Sequence, residues 1–497
     1  MRRIVLHSPV LLAAGGALSL LVLLPATTQL AGGSTGGCDP SRPAVAYDGH
    51  GHVVSSPTAP TPCLSSTGYG GAETSIVSTA DGTLVYEPAI ITPGLAGTGF
   101  VDGLPGPRPS TQLSPGGLAV SSNQGSSWQF QKPAGQTWVP QDDALYTDWS
   151  SGWLYYYALS PDPAPQSGTA VQDQLPAGYA QINASPDDGK TWFHTSIPGH
   201  IESENPRFTA APVPSGGAPT ANHGDVVYWC GNNMLFTPSY RACYRSLDSG
   251  ISWTFASLLF SSPVPQHSQC GTKAETFNAG DGNYPEGAPD GSLYVLVNCG
   301  STTYLARSTD EGATWPILMN GSSPRTVPAD GELRVDPAGN LYLVALQGEA
   351  LQLWVSTDHG TTWRAPQDMT VPGATAITQW AMAEAGNGEV AVSYLADTAT
   401  GTGYDGFLSV TQDALAASPT FYGTTLDAPG NPVYSGSPAP ARDDFIGVDI
   451  APDGTPWASF FGSCSATDPD PGCTGQSGDP EANKAMVGHL AGLPALP

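Results

Sequence analysis

Acidic side chains recur along the chain at or just before short segments that we predict to be strands. Carboxylates gathered in this way can do two kinds of chemistry. Several oxygen ligands together suit Ca²⁺, and a suitably separated pair of carboxyl groups can hydrolyse a glycosidic bond. The remaining alternative is a solvated acidic rim without a ligand, and no cofactor other than Ca²⁺ is expected. The residues concerned are Glu73, Asp142, Asp143, Glu204, Glu275, Glu332, Asp443 and Asp444.

These carboxylates need elements to position them, and an internal octapeptide repeat indicates which. The pattern Ser-x-Asp-x-Gly-x-Ser/Thr-Trp occurs at residues 185–192, 246–253, 308–315 and 356–363, and a copy with Asn for Asp lies at 121–128. Its Asp can accept hydrogen bonds from backbone N–H groups two or three residues on, and its Gly supplies the positive φ of a tight turn. We therefore predict that these Asp residues shape hairpin turns and are not catalytic.

A second recurrent feature is a turn followed by a strand rich in aromatic and β-branched residues. Where the copies are most compact, the distance from this anchor to the octapeptide fits a strand, a short turn and a second strand. Each repeat then forms a four-stranded antiparallel meander. Seven anchors predict an all-β fold, a β-propeller of seven blades, with six blades as the alternative count. The anchors are residues 81–86, 151–157, 224–229, 290–295, 339–344, 386–392 and 453–458.

The two ends of the repeat region predict how the ring closes. Residues 484–489 look like the third strand of the last blade, and residues 43–47 could supply the fourth. No change of composition divides the chain beyond its start. We expect an export signal at 1–31, an N-terminal segment at 32–72 that closes the ring, and one propeller domain at 73–490.

Composition agrees with this architecture and excludes several classes of protein. Among 497 residues, 60 are Gly and 48 are Pro, which is rich in turn formers, while only 12% are charged. Helical bundles and coiled coils are therefore excluded. The formal net charge of −27 makes nucleic acids and anionic membrane surfaces poor partners.

The first residues predict export from the cell. Arg2 and Arg3 precede an apolar run over residues 10–24, and small residues follow Pro25. This pattern is typical of a signal peptide, and an uncleaved anchor is the alternative. We expect a secreted monomer with no transmembrane domain after signal removal.

Eight cysteines in an exported chain indicate disulfide bonds. Because the chain has no C-x-x-C pairs, a zinc site is not expected. Eight cysteines allow 105 pairings, and the spacing favours neighbours. The pairs are Cys38 with Cys63, Cys230 with Cys243, Cys270 with Cys299, and Cys464 with Cys473.

The octapeptide resembles the Asp-box, or bacterial neuraminidase repeat. Through it, residues 73–490 resemble the Asp-box propellers of the sialidase superfamily. That resemblance implies a β-propeller, but it leaves the reaction open, because Asp-boxes also occur in endoglucanases, sorting receptors and assembly factors.

A sialidase-like site implies three arginines that bind the substrate carboxylate, a Tyr nucleophile supported by a Glu, and an Asp acid/base. Arg207, Arg334 and Arg442 lie in segments predicted to be inner strands, and Tyr434 lies close to Arg442 in sequence. Glu275 or Glu73 could support the nucleophile. The alternative is that each arginine pairs with neighbouring acids. The binding candidates are then the acidic residues Glu73, Glu204, Glu332, Asp443 and Asp444.

Two functions are consistent with the sequence. The first is a secreted sialidase-like propeller that hydrolyses glycosides or binds a glycan or polysaccharide. The second is a non-catalytic propeller that serves as a scaffold for proteins or the cell envelope. Arginines converging over a pocket would favour the first function, and a flat or plugged channel would favour the second.

Overall fold

The fold is taken from a computed structural model of the chain. The residues that the structure describes are 24–25, 27–33, 35–56, 59–71, 74–88, 117–133, 144–159, 180–197, 204–221, 224–233, 240–261, 270, 275–276, 284–397, 403–435, 446–465, 468–474 and 483–494.

Five strands precede the first blade. They are β1 (Leu24–Pro25), β2 (Thr27–Gly33), β3 (Thr35–Cys38), β4 (Val45–Asp48) and β5 (Thr61–Gly70). These strands are distributed over four different blades and do not form a sheet of their own.

Blades 1 to 3 are antiparallel meanders in chain order. Blade 1 has β6 (Ser75–Ser78), β7 (Leu84–Glu87), β8 (Leu118–Ser121) and β9 (Ser127–Lys132). Blade 2 has β10 (Ala144–Asp148), β11 (Trp153–Leu159), β12 (Ala180–Ser185) and β13 (Thr191–Ile197). Blade 3 has β14 (Glu204–Ala211), β15 (Val226–Asn233), β16 (Tyr240–Ser246) and β17 (Thr254–Ser261).

Blade 4 is the least regular and blade 5 returns to the common pattern. In blade 4, β18 (Glu275–Thr276) and β19 (Glu286–Gly287) both pair with β20 (Leu293–Cys299), which also pairs with β21 (Thr302–Ser308). A short hairpin, β22 (Met319–Asn320) and β23 (Ser323–Pro324), follows at its outer edge. Blade 5 has β24 (Glu332–Val335), β25 (Leu341–Gln347), β26 (Ala350–Ser356) and β27 (Gln367–Asp368).

Blades 6 and 7 complete the ring. Blade 6 has β28 (Thr375–Gly386), β29 (Glu389–Asp397), β30 (Tyr404–Thr411) and β31 (Thr420–Thr425). Blade 7 has β32 (Gly447–Ile450), β33 (Pro456–Ser463), a short helix α1 (Pro471–Thr474) and β34 (Asn483–Ala491). The described residues thus confirm an all-β propeller of seven antiparallel blades with almost no helix.

The ring closes through a different strand from the one predicted. β5 pairs with β34 from Thr61 to Gly70 and is the fourth strand of blade 7. The expectation that residues 43–47 do this is wrong, because β4 pairs with β31 as a fifth strand of blade 6. Tyr47 explains this placement: it is fully buried, its hydroxyl donates to the Met369 carbonyl at 2.7 Å, and its ring stacks on Phe421 at 5.5 Å.

The remaining N-terminal strands also extend blades. β3 pairs with β5 on blade 7, β2 with β9 on blade 1, and β1 with β13 on blade 2. Most of the predicted export signal lies outside the described residues, and its last part forms β1 and the beginning of β2. Among the described residues, no helix has both the length and the apolar character needed to cross a membrane.

In blades 1, 2, 3 and 5 the octapeptides form the turns between the third and fourth strands, and in blade 4 the octapeptide follows β21. In the copy between β12 and β13, Asp187 accepts from the Thr191 backbone N–H at 2.7 Å and from its hydroxyl at 2.7 Å. The acceptor thus reaches four residues on, not the two or three expected, because the Ser185 hydroxyl takes the nearer Gly189 N–H at 2.9 Å. Trp192 is buried beneath the turn. None of the octapeptide Asp residues lines the central cavity described below.

The cores lie between neighbouring blades. Leu154, Tyr156 and Trp192 of blade 2, for example, pack against Val85 and Leu118 of blade 1. All eight cysteines are bonded in the four predicted pairs. The Cys230–Cys243 bond joins residues directly opposite each other on β15 and β16 of blade 3, as expected.

Candidate functional site

A cavity of about 550 Å³ lies among the innermost strands of all seven blades. It reaches from the beginnings of these strands to the turns that follow them, where it meets Trp149, Pro289 and Pro337. Each blade contributes at least one residue of its first strand to the wall. These residues include Ile76, Tyr146, Thr209, Glu286, Arg334, Met382 and Asp449.

Three charged residues reach the cavity from the same position in their blades. Glu286, Arg334 and Asp449 each lie five residues before a turn glycine with positive φ. Each is also the cross-strand partner of an aromatic residue on the second strand. Because side chains alternate along a strand, this shared register directs equivalent positions toward the ring axis. The aromatic partners are Tyr294, Tyr342 and Trp457.

Arg334 is held between two carboxylates. One guanidinium nitrogen donates to Glu286 Oε1 at 2.9 Å and to the Leu333 carbonyl at 3.0 Å, and the other donates to Glu332. The side chains of Arg334, Glu286 and Glu332 are 25%, 20% and 5% exposed. The positive charge of Arg334 is therefore balanced within the protein and is not available to an anionic ligand.

The same surroundings change the protonation of these groups. Burial raises the pKa of Glu286 to about 7; the charge of Arg334 opposes this shift, and the charge of Glu332 adds to it. The pKa of Arg334 is raised by the two carboxylates against the effect of burial, so the guanidinium stays charged. Each member of the pair thus favours the charged form of the other.

Glu384 lies on β28 of blade 6, near its end. Burial is the main cause that raises the pKa of Glu384 to about 8, and the negative charges of Asp336 and Glu286 add to the shift. The Gly386 backbone N–H donates to Glu384 Oε2 at 2.9 Å. This hydrogen bond and the charge of Arg334 both oppose the rise in pKa. At neutral pH the carboxyl group of Glu384 is therefore protonated in most molecules and can donate this proton.

Asp449 lies on β32 of blade 7, the inner strand that packs beside β28. Burial raises the pKa of Asp449 to about 6. The shift is limited because the Ser78 backbone N–H and hydroxyl both donate to Asp449 Oδ2 at 2.6 Å. Neighbouring strands thus present a protonated carboxyl group and an ionised one at pH 7, which is the division of roles that acid–base chemistry requires.

One edge of the cavity carries an exposed aromatic side chain. Trp149 is 47% exposed and lies in the turn after β10. Asp148 fixes this turn, because its Oδ1 accepts from the Ser150 backbone N–H at 3.0 Å and from its hydroxyl at 2.9 Å. Asp225 also lines the cavity, and the Gly224 before it lies against Ser151 of this turn; burial and the charge of Asp148 raise the pKa of Asp225.

The structure brings Arg207, Arg334 and Glu332 of the predicted site residues to the cavity. Arg207 has its guanidinium 5.8 Å from the centre of the Tyr284 ring. Tyr434 does not belong to the described wall of the cavity: its backbone pairs with Tyr404, and its ring meets Phe461 edge-on at 5.7 Å.

Other predicted positions cannot be compared with the cavity. Glu204 and Glu275 lie in β14 and β18, where the structure describes only their backbone. The convergence of three arginines therefore stays a prediction, and so does the calcium-binding ring of carboxylates. The positions outside the described residues are Glu73, Asp142, Asp143, Arg442, Asp443 and Asp444.

Among the described residues, one group of side chains has its possible metal-binding atoms close together. Ligand atoms of Cys38, Cys63 and His489 lie within 4.8 Å of one another. The two sulfurs form a disulfide bond, so they are not thiolates that could bind a metal. This group is therefore explained by the covalent structure.

Sequence reasoning missed Glu286, Glu384, Asp449 and Trp149. A signal for two of them was present, because Glu286 and Asp449 share the spacing of Arg334 from the turn glycine. Glu384 stands closer to its turn, on a strand with several register shifts, and so lacks that spacing. No pattern in the sequence indicated the exposure of Trp149.

Comparison with models of known protein families and with curated proteins finds no match. Solved structures give similarities of low identity. A mutant of the Aleuria aurantia lectin AAL, in complex with Fucalpha1-6GlcNAc, has a TM-score of 0.38 and 10% identity, covering 68% of this chain and 91% of the lectin. A protein of unknown function from Dyadobacter fermentans has a TM-score of 0.37 and 14% identity over 85% and 96%. A mutant of NanB sialidase from Streptococcus pneumoniae has a TM-score of 0.37 and 13% identity over 86% and 68%.

Proposed function

We propose that the chain is a secreted propeller of the Asp-box type that hydrolyses glycosides in its central cavity. The observation that carries the proposal is the pair Glu384 and Asp449, which lies on neighbouring inner strands with pKa values of about 8 and 6. Glycoside hydrolysis needs one carboxyl group that donates a proton and a second that is ionised. The four disulfide bonds and the apolar N-terminal run support secretion.

In this mechanism Glu384 transfers its proton to the glycosidic oxygen as the bond to the anomeric carbon breaks. The carboxylate of Asp449 takes a proton from a water molecule while the water oxygen forms the new bond to that carbon, and proton exchange with solvent then restores both carboxyl groups. The hydrogen bonds from Ser78 hold Asp449 in place. Arg334, Glu286 and Glu332 form a fixed group beside this pair, and the charge of Arg334 keeps Glu384 from a still higher pKa.

The charges favour a neutral saccharide as the substrate. The described wall holds seven acidic residues against two arginines, Arg207 and Arg334, and Arg334 is already paired with Glu286 and Glu332. This wall would therefore repel an anionic sugar. The guanidinium of Arg334 would not be available to bind it, because it is already bound to Glu286 and Glu332. This distinguishes the proposed activity from that of a sialidase.

A screen of aryl glycosides with the secreted protein tests this function. We expect hydrolysis of at least one neutral glycoside among the gluco-, galacto-, manno-, fuco-, xylo- and arabinosides, and none of the sialoside. Heat-denatured protein from the same preparation is the control. Hydrolysis of the sialoside, with all the neutral glycosides left intact, would contradict the proposal.

Glycan binding without catalysis is the second candidate, and the exposed Trp149 favours it. A large apolar side chain at the mouth of a cavity suits a sugar ring whether or not a bond is cleaved. Saturable binding of a neutral glycan, measured by calorimetry, by a protein that hydrolyses none of the aryl glycosides would support this function.

A further inference from the structure

Trp149 is unusual among the exposed apolar side chains. In the described part of the chain, seven large hydrophobic residues are at least 36% exposed, and Trp149 is the one among them that lines the central cavity. Exposing an indole to water costs free energy that burial elsewhere would have avoided. Packing within the protein therefore does not explain why Trp149 lies at this position.

The turn that carries Trp149 is rigid. Besides its bonds to Ser150, Asp148 accepts from the Ser151 hydroxyl, and its carbonyl accepts from the Gly152 N–H at 2.7 Å. Asp148 itself is only 3% exposed, so it serves the turn and not a ligand. The backbone that carries the indole is therefore already in position for a ligand, which lowers the cost of ordering on binding.

Asp225 places a polar group on the same cavity wall as the indole. Its carboxyl group is half-buried and lines the same cavity, and the preceding Gly224 packs against Ser151 of the same turn. An apolar ring face beside a hydrogen-bond acceptor suits a sugar, whose C–H face packs on an aromatic ring while its hydroxyl groups donate to a carboxylate.

We propose that Trp149 and Asp225 form a second saccharide subsite, on the side of the cavity where the turns after the inner strands lie. This inference rests on the proposed function and names its substrate class, a neutral oligosaccharide long enough to extend from Glu384 to Trp149. Trp149 packs on one sugar unit beyond the bond that is cleaved, and Asp225 accepts hydrogen bonds from its hydroxyl groups.

Binding measured without turnover tests the subsite. The probes are cello-, xylo- and malto-oligosaccharides from disaccharide to hexasaccharide, titrated by calorimetry into the Glu384→Gln protein. We expect the affinity for one series to increase with length. We expect Trp149→Ala in this background to weaken the binding of the longest member by about tenfold, as the loss of an aromatic contact of about 1.4 kcal/mol predicts.

Two further variants make the result specific. Trp149→Phe keeps an aromatic face and should recover most of the affinity. Phe255→Ala removes a side chain that is 56% exposed on β17 at the outer edge of blade 3, and it should leave binding unchanged. Length-dependent binding lost with Trp149→Ala supports the subsite even if no glycoside is hydrolysed. Binding that Trp149→Ala leaves intact, or no binding of any probe, would overturn it.

Discussion

Replacing Glu384 with Gln is expected to lower the rate of neutral glycoside hydrolysis by about 10²- to 10⁴-fold, the usual contribution of a positioned general acid. The amide has nearly the shape of the carboxyl group, and its oxygen can still accept the Gly386 N–H bond that Glu384 accepts at 2.9 Å. What the variant loses is the proton that Glu384 holds at neutral pH. Initial rates on the best aryl glycoside of the screen measure the effect.

The matched control for this substitution is Glu349→Gln. Glu349 is exposed in the hairpin between β25 and β26 and is not among the described residues of the cavity. It should retain the wild-type rate. A Glu384→Gln protein with nearly wild-type activity would show that another group supplies the proton.

Replacing Arg334 with Met should destabilise the protein by about 3 kcal/mol near pH 8, the lower end of the cost of breaking a buried ion pair. The lower end applies because Arg334 is 25% exposed. Without the guanidinium, Glu286 and Glu332 face each other with no counter-charge, so their pKa values rise. Thermal unfolding at several pH values measures the loss.

The loss of stability in Arg334→Met should depend on pH. A carboxyl group whose pKa is higher in the folded protein than in the unfolded chain binds more protons when folded, so stability falls as pH rises between the two values. In Arg334→Met, Glu286 and Glu332 are such groups. The loss should therefore be small near pH 5, where protonation relieves the repulsion, and full near pH 8.

Two further variants test whether the charge of Arg334 accounts for this loss of stability. Arg334→Lys retains a charge with fewer donors and should lose less stability. Arg364→Met removes an exposed arginine whose guanidinium donates to the Leu415 carbonyl, and its effect should be small and independent of pH. A stability loss in Arg334→Met that is equal at pH 5 and pH 8 would contradict the proposed charge balance.

The repeats made the architecture predictable because they are local. The hydrogen bonds that Thr191 donates to Asp187 lie within one octapeptide, so a short pattern specifies the turn and its place in the blade. The closing strand was harder to predict, since residues 43–47 have strand character, whereas Thr61–Gly70 contains one Pro, two Ser and two Gly. The choice between them depends on the burial of Tyr47 against Met369, a contact across 322 residues.

The candidate site was predictable only in part, because its contacts cross between blades. Glu332 and Arg334 are near neighbours in sequence, and their pairing was one of the two expectations. The second partner, Glu286, comes from the preceding blade, and the proton donor, Glu384, comes from the following one. Burial raises the pKa of Glu384, and the sequence does not show that a single carboxyl group is buried.

The most direct test of the central claim is the pH dependence of kcat/KM for the wild-type protein on a neutral aryl glycoside. Catalysis needs protonated Glu384 and ionised Asp449, whose pKa values are about 8 and 6. The activity should therefore fall as pH rises through about 8 and fall again as pH drops through about 6. Activity that stays constant or increases well above pH 8 would contradict the assignment of Glu384 as the acid.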